Sequence, residues 1–290
     1  MDYIDLHTHS TASDGTFAPA EVFALAAELR LSAVALTDHD TVAGLEEFLA
    51  AAKDHPECEA VPGVELACML YMREIHILGL FINCRSAVLT EFLEKCRIER
   101  AKRNRDIFLK LHFLGYDLDL SMPEFGGKEL DAIGRPHFAR ALRAHYDGFT
   151  TSQMVFDKLL GHNRPAWVPR KLPSPAEAIA AIHAAGGVAV WAHPVSRDTT
   201  ERAYLTRACR KLAAQGLDGI EAYYSLFSAN ETALVTEAAA RYGLALSGGS
   251  DFHGENSANV VLGFGAGGLR VPEQLLYGLK EKLIQRRTEA

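Results

Sequence analysis

The sequence predicts an α/β fold built on a largely parallel sheet, either open or closed into a barrel. Two observations carry this. Short apolar runs suited to buried strands alternate with amphipathic helical stretches from the first residues onward. Histidines and acids recur where those runs end, and in both architectures functional groups gather at the carboxyl ends of strands. A length of 290 residues, 48% hydrophobic and 23% charged, suits one barrel-sized domain with an insertion or two smaller domains.

The first apolar run, Tyr3, Ile4 and Leu6, ends in His7-Thr-His9, two imidazoles that share one face of a strand. Asp14 follows on a turn before Gly15. Pro19 to Arg30 has proline in its first turn and apolar residues at helical spacing, which predicts an amphipathic helix. Ala33-Val-Ala-Leu36 reads as a strand buried on both faces and ends in Thr37-Asp38-His39-Asp40-Thr41. Gly44 to Lys53 is helical, Glu59 to Leu66 is a strand ending near Glu65, and Glu74 to Leu80 is a strand with His76 inside it.

The pattern changes over residues 86–167, which are mostly helical and more basic. Arg97, Arg100, Lys102, Arg103 and Arg105 crowd one helix, where a solvated face and a functional basic surface both fit. Arg135-Pro-His137 follows Gly134 and opens a helix, a natural anion site. The strand–helix rhythm resumes at Ser174, an N-cap before Pro175. The strand Val188 to Ala192 ends in His193-Pro194 with Arg197 close behind, and the strand at Gly219 carries Glu221. Helices over 203–215 and 230–242 flank that strand, the run from Leu244 delivers Asp251-Phe-His253, and 272–287 is a closing helix. The predicted organisation is a barrel from 1–85 and 168–290, with 86–167 as a helical insertion covering the active site.

Bulk properties narrow the function. No apolar run reaches the ~18 residues needed to span a bilayer. The start lacks the basic and apolar regions of a signal peptide. Five scattered cysteines without a Cys-x-x-Cys pair point to reduced thiols in the cytoplasm and against a structural zinc-thiolate site. A net charge of −7 argues against wholesale sequestration of nucleic acid and leaves room for a local basic patch. The absence of a P-loop, Gly-x-Gly-x-x-Gly and Gly-x-Ser-x-Gly disfavours nucleotide-driven transfer, dinucleotide redox and serine-hydrolase chemistry.

Collected from strand ends, the candidate ligands are His7, His9, Asp14, His39, Glu65, His76, His193, Asp251 and His253. Six imidazoles and three carboxylates are too many for one ion and suit two or three. Without thiolates, Mn²⁺, Fe²⁺ and Zn²⁺ all remain open, and the oxygen content favours Mn²⁺. Neighbouring ions acidify a shared water and hold both ends of a displacement at phosphorus, which points to metal-dependent hydrolysis of a phosphate ester.

The runs His7-Thr-His9, Ser13-Asp14-Gly15, Thr37 to Thr41, Gly63-Val-Glu65, His193-Pro194 and Ser250 to Gly254 resemble the successive motifs of the PHP (polymerase and histidinol phosphatase) family. The resemblance implies a distorted (β/α)7 TIM-like barrel with a trinuclear metal centre. It implies a first ion on His7, His9, Glu65 and Asp251, with Glu65 bridging. A second falls to Glu65, His76 and His193, and a third to Asp14, His39 and His253. On that assignment a hydroxide bridging the first two ions attacks phosphorus, so His7, His9, Glu65 and Asp251 act catalytically through it. The insertion, with Gly134 to Leu142 and Pro165-Ala-Trp-Val-Pro169, is similar to the branch that removes the 3′-phosphate of nucleoside 3′,5′-bisphosphates and to related 5′→3′ exoribonucleases. Histidinol phosphatases of the family usually carry histidine where this chain has Asp14. Arg135, His137, Lys171 and Arg197 are the candidates for gripping phosphates, and Glu221 for orienting a ligand histidine or making a structural hydrogen bond. The expected partner is a small phosphorylated nucleotide or short RNA, with no membrane and no obligate protein partner. The alternatives are a histidinol-phosphatase-like enzyme for another small phosphate ester and a non-catalytic metal-dependent binding module.

Overall fold

A computed structural model describes residues 2–195, 202–257 and 259–289. The strands are β1 (Tyr3–Thr8), β2 (Ala33–Leu36), β3 (Glu59–Leu70), β4 (Arg73–Leu80), β5 (Val188–Ala192), β6 (Gly219–Tyr224), β7 (Ala245–Gly249) and β8 (Val271–Pro272). They form one sheet in the spatial order β7-β6-β5-β4-β3-β2-β1-β8. The helices are α1 (Pro19–Glu28), α2 (Leu45–Ala51), α3 (Ala87–Phe113), α4 (Arg135–His145), α5 (Ser152–Val155), α6 (Pro175–Ala184), α7 (Arg202–Ala213), α8 (Ala229–Tyr242) and α9 (Gln274–Glu289). Among the described residues no helix is long and apolar enough to cross a membrane.

The sheet departs from the expected parallel arrangement in one place that matters. β1, β2 and β3 run parallel, as do β5, β6 and β7, but β4 is antiparallel to both of its neighbours. Tyr71 and Met72, at φ of 49° and 64°, turn the chain back between β3 and β4. Two consecutive positive φ values belong to a tight hairpin turn that usually announces itself with Asn or Gly, and neither is present. The reversal brings the first residues of β4 to the end of the sheet where parallel strands finish. There His76 pairs with Ala67 on one side and Ala192 on the other.

The sheet nearly closes on itself. Just beyond β7, Asp251 N–H donates to His7 O at 2.9 Å, and His9 N–H donates to Phe252 O at 2.9 Å. Gly249 allows this seam, because a Cβ there would stand 2.4 Å from His7 Cβ. Asp5, fully buried, accepts Ser250 N–H at 2.8 Å and Gly263 N–H at 2.7 Å, fastening the same seam. Leaving such buried donors unmet would cost about 1–3 kcal/mol each. Ile4, Leu6, Ala33, Val61, Leu78 and Val190 form one buried apolar cluster with Leu276 and Leu279 of α9.

Helix starts follow the sequence signals. Ser174 Oγ accepts Glu177 N–H at 3.4 Å while Glu177 Oε2 accepts Ser174 N–H at 2.8 Å, and Ser228 with Glu231 repeats the device before α8. The chain divides into two compact units, Met1–Phe92 with Pro173–Ala290, and Leu93–Leu172. The second has its own core of Ile107, Leu111, Phe125, Phe138, Leu142 and Leu160. Its buried Asn104 donates to Leu130 O at 2.6 Å and Ile133 O at 2.9 Å. On the basic stretch of α3, Arg97 pairs with Glu94 and Asp131, and Lys102 with Glu99, as on a salt-bridged solvated face.

Candidate metal centre

Each strand end delivers its ligand by a local device. After β2 the chain keeps pairing with β3, since Asp40 N–H donates to Glu65 O at 2.8 Å and Glu65 N–H to Asp38 O at 3.1 Å. This sets His39 directly beside Glu65. Asp14 arrives on the loop after β1, which Asp38 holds from beneath. Asp38 Oδ1 accepts Ser10 N–H at 2.8 Å and Ser13 Oγ at 2.5 Å, and its Oδ2 accepts Ser10 Oγ at 2.6 Å. Asp40, His193 and Asp251 all sit at positive φ, 51°, 29° and 57°. Each such residue stores about 1–3 kcal/mol of strain, a feature that concentrates at functional sites.

The structure brings all nine candidate ligands together. They fall into four sets whose ligand atoms lie within 4.8 Å of one another: His9, Asp14, His39 and His253; His7, Glu65 and His193; His7, His9 and Asp251; His39, Glu65 and His76. Glu65, fully buried, is common to two of them. Its oxygens lie 3.4 Å from His7 Nε2, 3.4 Å from His9 Nε2, 2.7 Å from His39 Nδ1, 2.8 Å from His76 Nδ1 and 3.1 Å from His193 Nε2. The grouping around Asp14 takes in His9 as well as His39 and His253, so the opening motif reaches more than one set.

These side chains fit divalent ions on an observation independent of their identity. Among the described residues, His7 Nε2, both ring nitrogens of His9 and Glu65 Oε2 are buried without a hydrogen-bond partner. Buried polar atoms are normally satisfied, and imidazole and carboxylate atoms that converge on one space without partners have the donor chemistry that suits a divalent ion.

Outer residues aim the ligands. Glu221 Oε1 takes His7 Nδ1–H at 3.0 Å, which leaves His7 Nε2 as the free electron pair, and Glu221 Oε2 accepts His193 N–H at 2.7 Å. Tyr224 Oη donates to Asp251 Oδ2 at 2.9 Å, while Asp251 Oδ1 lies 3.4 Å from His7 Nε2 and 3.2 Å from His9 Nε2. Reading the sequence missed Tyr224. It stands at the carboxyl end of β6, two residues from the segment already singled out for Glu221.

The carboxylates and imidazoles of the cluster set one another's ionisation. Burial pushes the Glu65 carboxyl up, but His39, His76 and His7 hold it well below the usual carboxylate range. Burial likewise opposes ionisation of Asp14 and Asp251, and the neighbouring histidines overcome it. Burial lowers His76 and His253, yet Glu65 raises the first to about 10 and Asp14 with Asp251 raises the second to about 10. Burial, His253 and His39 together push His9 down to about 3.

Three of the four candidates for gripping phosphates lie among the described residues. Arg135 opens α4 in the unit Leu93–Leu172, its guanidinium 5.9 Å from the centroid of the Phe156 ring. His137 is 1% exposed, and its Nδ1 accepts Gly134 N–H at 3.1 Å, the geometry of a helix cap. Lys171 is exposed in the loop before α6. Arg197 lies outside the described residues.

Comparison with known proteins agrees with the geometry. A 3′,5′-nucleoside bisphosphate phosphatase from Chromobacterium violaceum is 35% identical over 269 residues, covering 90% of this chain and 91% of its own. A 5′-3′ exoribonuclease from Haemophilus influenzae is 33% identical over 255 residues, covering 86% and 89%. Among solved structures, an amidohydrolase from Chromobacterium violaceum with bound sulfate and no metal superposes with a TM-score of 0.83 at 30% identity, covering 97% of this chain and 96% of that one. The PHP domain model matches residues 5–184. The chain therefore belongs to the PHP domain family, and it is a metal-dependent phosphoester hydrolase.

Proposed function

We propose that this protein removes the 3′-phosphate from nucleoside 3′,5′-bisphosphates and also acts at the 5′ ends of short RNA. The observation that supports the chemistry best is the convergence of nine ligand side chains around orphaned buried atoms of His7, His9 and Glu65. The substrate class is taken from the relatives, which are named for a nucleoside bisphosphate and for RNA. Two or three divalent ions, Mn²⁺ foremost, would be held by His7, His9, Asp14, His39, Glu65, His76, His193, Asp251 and His253, and when bound they supply an acidified water and neutralise charge on a phosphoryl group.

The chain's own residues prepare that chemistry. Glu65 ties the sets together. Glu221 holds the His7 ring in the tautomer that offers Nε2. Tyr224 occupies one oxygen of Asp251 and leaves the other facing the cluster. Asp38 fixes the Ser10–Ser13 stretch, and with it Asp14. For the substrate's phosphates we assign Arg135 and Lys171, a guanidinium at a helix N-terminus and an exposed ammonium, both suited to anions. His137 acts at one remove, capping the turn that carries Arg135. The free cysteines suit a reducing compartment such as the cytoplasm.

The test is release of inorganic phosphate from adenosine 3′,5′-bisphosphate with Mn²⁺, set against AMP, histidinol phosphate and a 5′-phosphorylated oligoribonucleotide. Preference for the bisphosphate or the oligonucleotide is the expected result. Turnover of histidinol phosphate alone would move the chain to the small-molecule phosphatases. Metal uptake without turnover of any ester would leave a binding module.

A further inference from the structure

At the rim of the barrel, a cavity of about 80 Å³ lies beside the metal cluster, bordered by Glu74, Ile75, Trp191, Ala192, His193, Pro194 and Tyr204. One water needs roughly 10–15 Å³ by this measure, so several waters or one polar group of a ligand fit. His193 belongs to both the cluster and the cavity wall.

Tyr204 is the unusual wall. It is 5% exposed on α7, yet its hydroxyl has no hydrogen-bond partner among the described residues. Buried tyrosine hydroxyls are normally paired, and an unpaired one bordering a cavity is suited to a group that arrives from outside. The ring is held ready: the Arg73 guanidinium stacks over it at 4.7 Å, and Arg207 on the next turn of α7 stacks over Tyr71 at 4.3 Å. Among the described lining residues the cavity's one acid is Glu74, whose Oε1 lies 3.6 Å from His76 Nε2. A carboxylate repels a phosphoryl group and accepts hydrogen bonds from a hydroxyl or amine.

We propose that this cavity receives an uncharged hydrogen-bonding group of the nucleoside, with Tyr204 and Glu74 as its partners, so that the enzyme recognises the alcohol side of the ester separately from the phosphate. The inference rests on the substrate reading above. The shared chemistry has two sources, a ribose hydroxyl or the base edge, and substrate analogues separate them.

Tyr204→Phe removes only the hydroxyl. With Mn²⁺-loaded protein, kcat/KM for adenosine 3′,5′-bisphosphate is expected to fall about 3–10-fold, the range for one uncharged hydrogen bond. Phenyl phosphate, which has no nucleoside, should be turned over as by wild type. Tm should not fall, because the lost hydroxyl had no partner. If the loss vanishes with 2′-deoxyadenosine 3′,5′-bisphosphate, the sugar hydroxyl is the ligand; if it vanishes with the inosine analogue, the base amine is. A loss shared by all three nucleotides assigns the contact to a group they have in common. Equal losses on nucleotide and phenyl phosphate, no loss on any nucleotide, or a lowered Tm would each overturn the inference. Wild-type protein that cleaves phenyl phosphate but no bisphosphate would instead overturn the substrate reading, and this inference with it.

Discussion

Two buried carboxylates in the barrel unit both meet histidines, and their remaining surroundings differ. Asp218, 4% exposed, accepts Ala189 N–H at 2.8 Å, lies 2.8 Å from His183 Nε2, and pairs through its other oxygen with the Arg286 guanidinium. Glu65, fully buried, is surrounded by five histidines and, among the described residues, pairs with no arginine or lysine. Around Asp218 every oxygen has a donor with a permanent charge or a backbone N–H, so the group ties the start of β6 to α6 and α9. Around Glu65, atoms of the carboxylate and of two histidines are left without partners. Residue type alone does not tell a metal site from a structural network. What separates them is whether the polar atoms are satisfied within the protein.

The hardest test of that contrast is Glu65→Gln. It should lower kcat/KM by roughly 10³-fold or more and cut metal content by elemental analysis, a larger effect than the ~10–100-fold typical of an outer residue. Retained metal with near-normal activity would mean that Glu65 is no ligand. Asp218→Ala should do the reverse. It leaves the buried Ala189 N–H without its acceptor and the half-buried Arg286 without its carboxylate, and costs about 1–3 kcal/mol of stability in denaturant titration, while folded protein keeps its kcat/KM. Glu221→Gln probes the boundary between the two cases. The amide no longer holds the His7 tautomer, so metal affinity by calorimetry should weaken about 10–100-fold with little change in Tm.

The smallest expected effect is a pH dependence. Burial lowers His76 and His253, but Glu65 raises the first, and Asp14 with Asp251 the second, to about 10, above the ordinary value of 6.5. Their contribution to stability is fully present below about 6.5 and is lost as pH rises toward 10. Ions compete with those same protons and bind better as the protons leave. The Tm difference between Mn²⁺-loaded and chelator-treated protein should therefore widen steadily from pH 7 to pH 9.5 in scanning calorimetry. A constant gap would show that these two imidazoles are not ligands.

Much of the site could be read from the chain because its parts are local. His7 and His9 share a strand face, Asp14-Gly15 needs a turn, and Asp251 and His253 repeat the two-residue spacing. Strand and helix positions followed from apolar period and from caps such as Ser174 and Ser228. The hairpin between β3 and β4 was not legible, since Tyr71 and Met72 are poor advertisements for positive φ. Tyr224 and the three hydrogen bonds of Asp38 were missed because their partners lie 27 and 25–28 residues away in sequence. His137 looked like a ligand for anions, and its burial beneath Gly134 could be seen only in the fold.

The order of amino acids by itself determined which side chains are candidates for the chemistry, because ligand types, turn residues and apolar periods are properties of short segments. Only the tertiary structure decided how they combine. Reversal of β4 carries His76 to the metal end, the Gly249 seam sets Asp251 against His7, and Glu65 thereby meets histidines from β1, the loop after β2, β4 and the end of β5. Those encounters depend on sheet pairing across most of the chain, and no local pattern encodes a distance between residues so far apart.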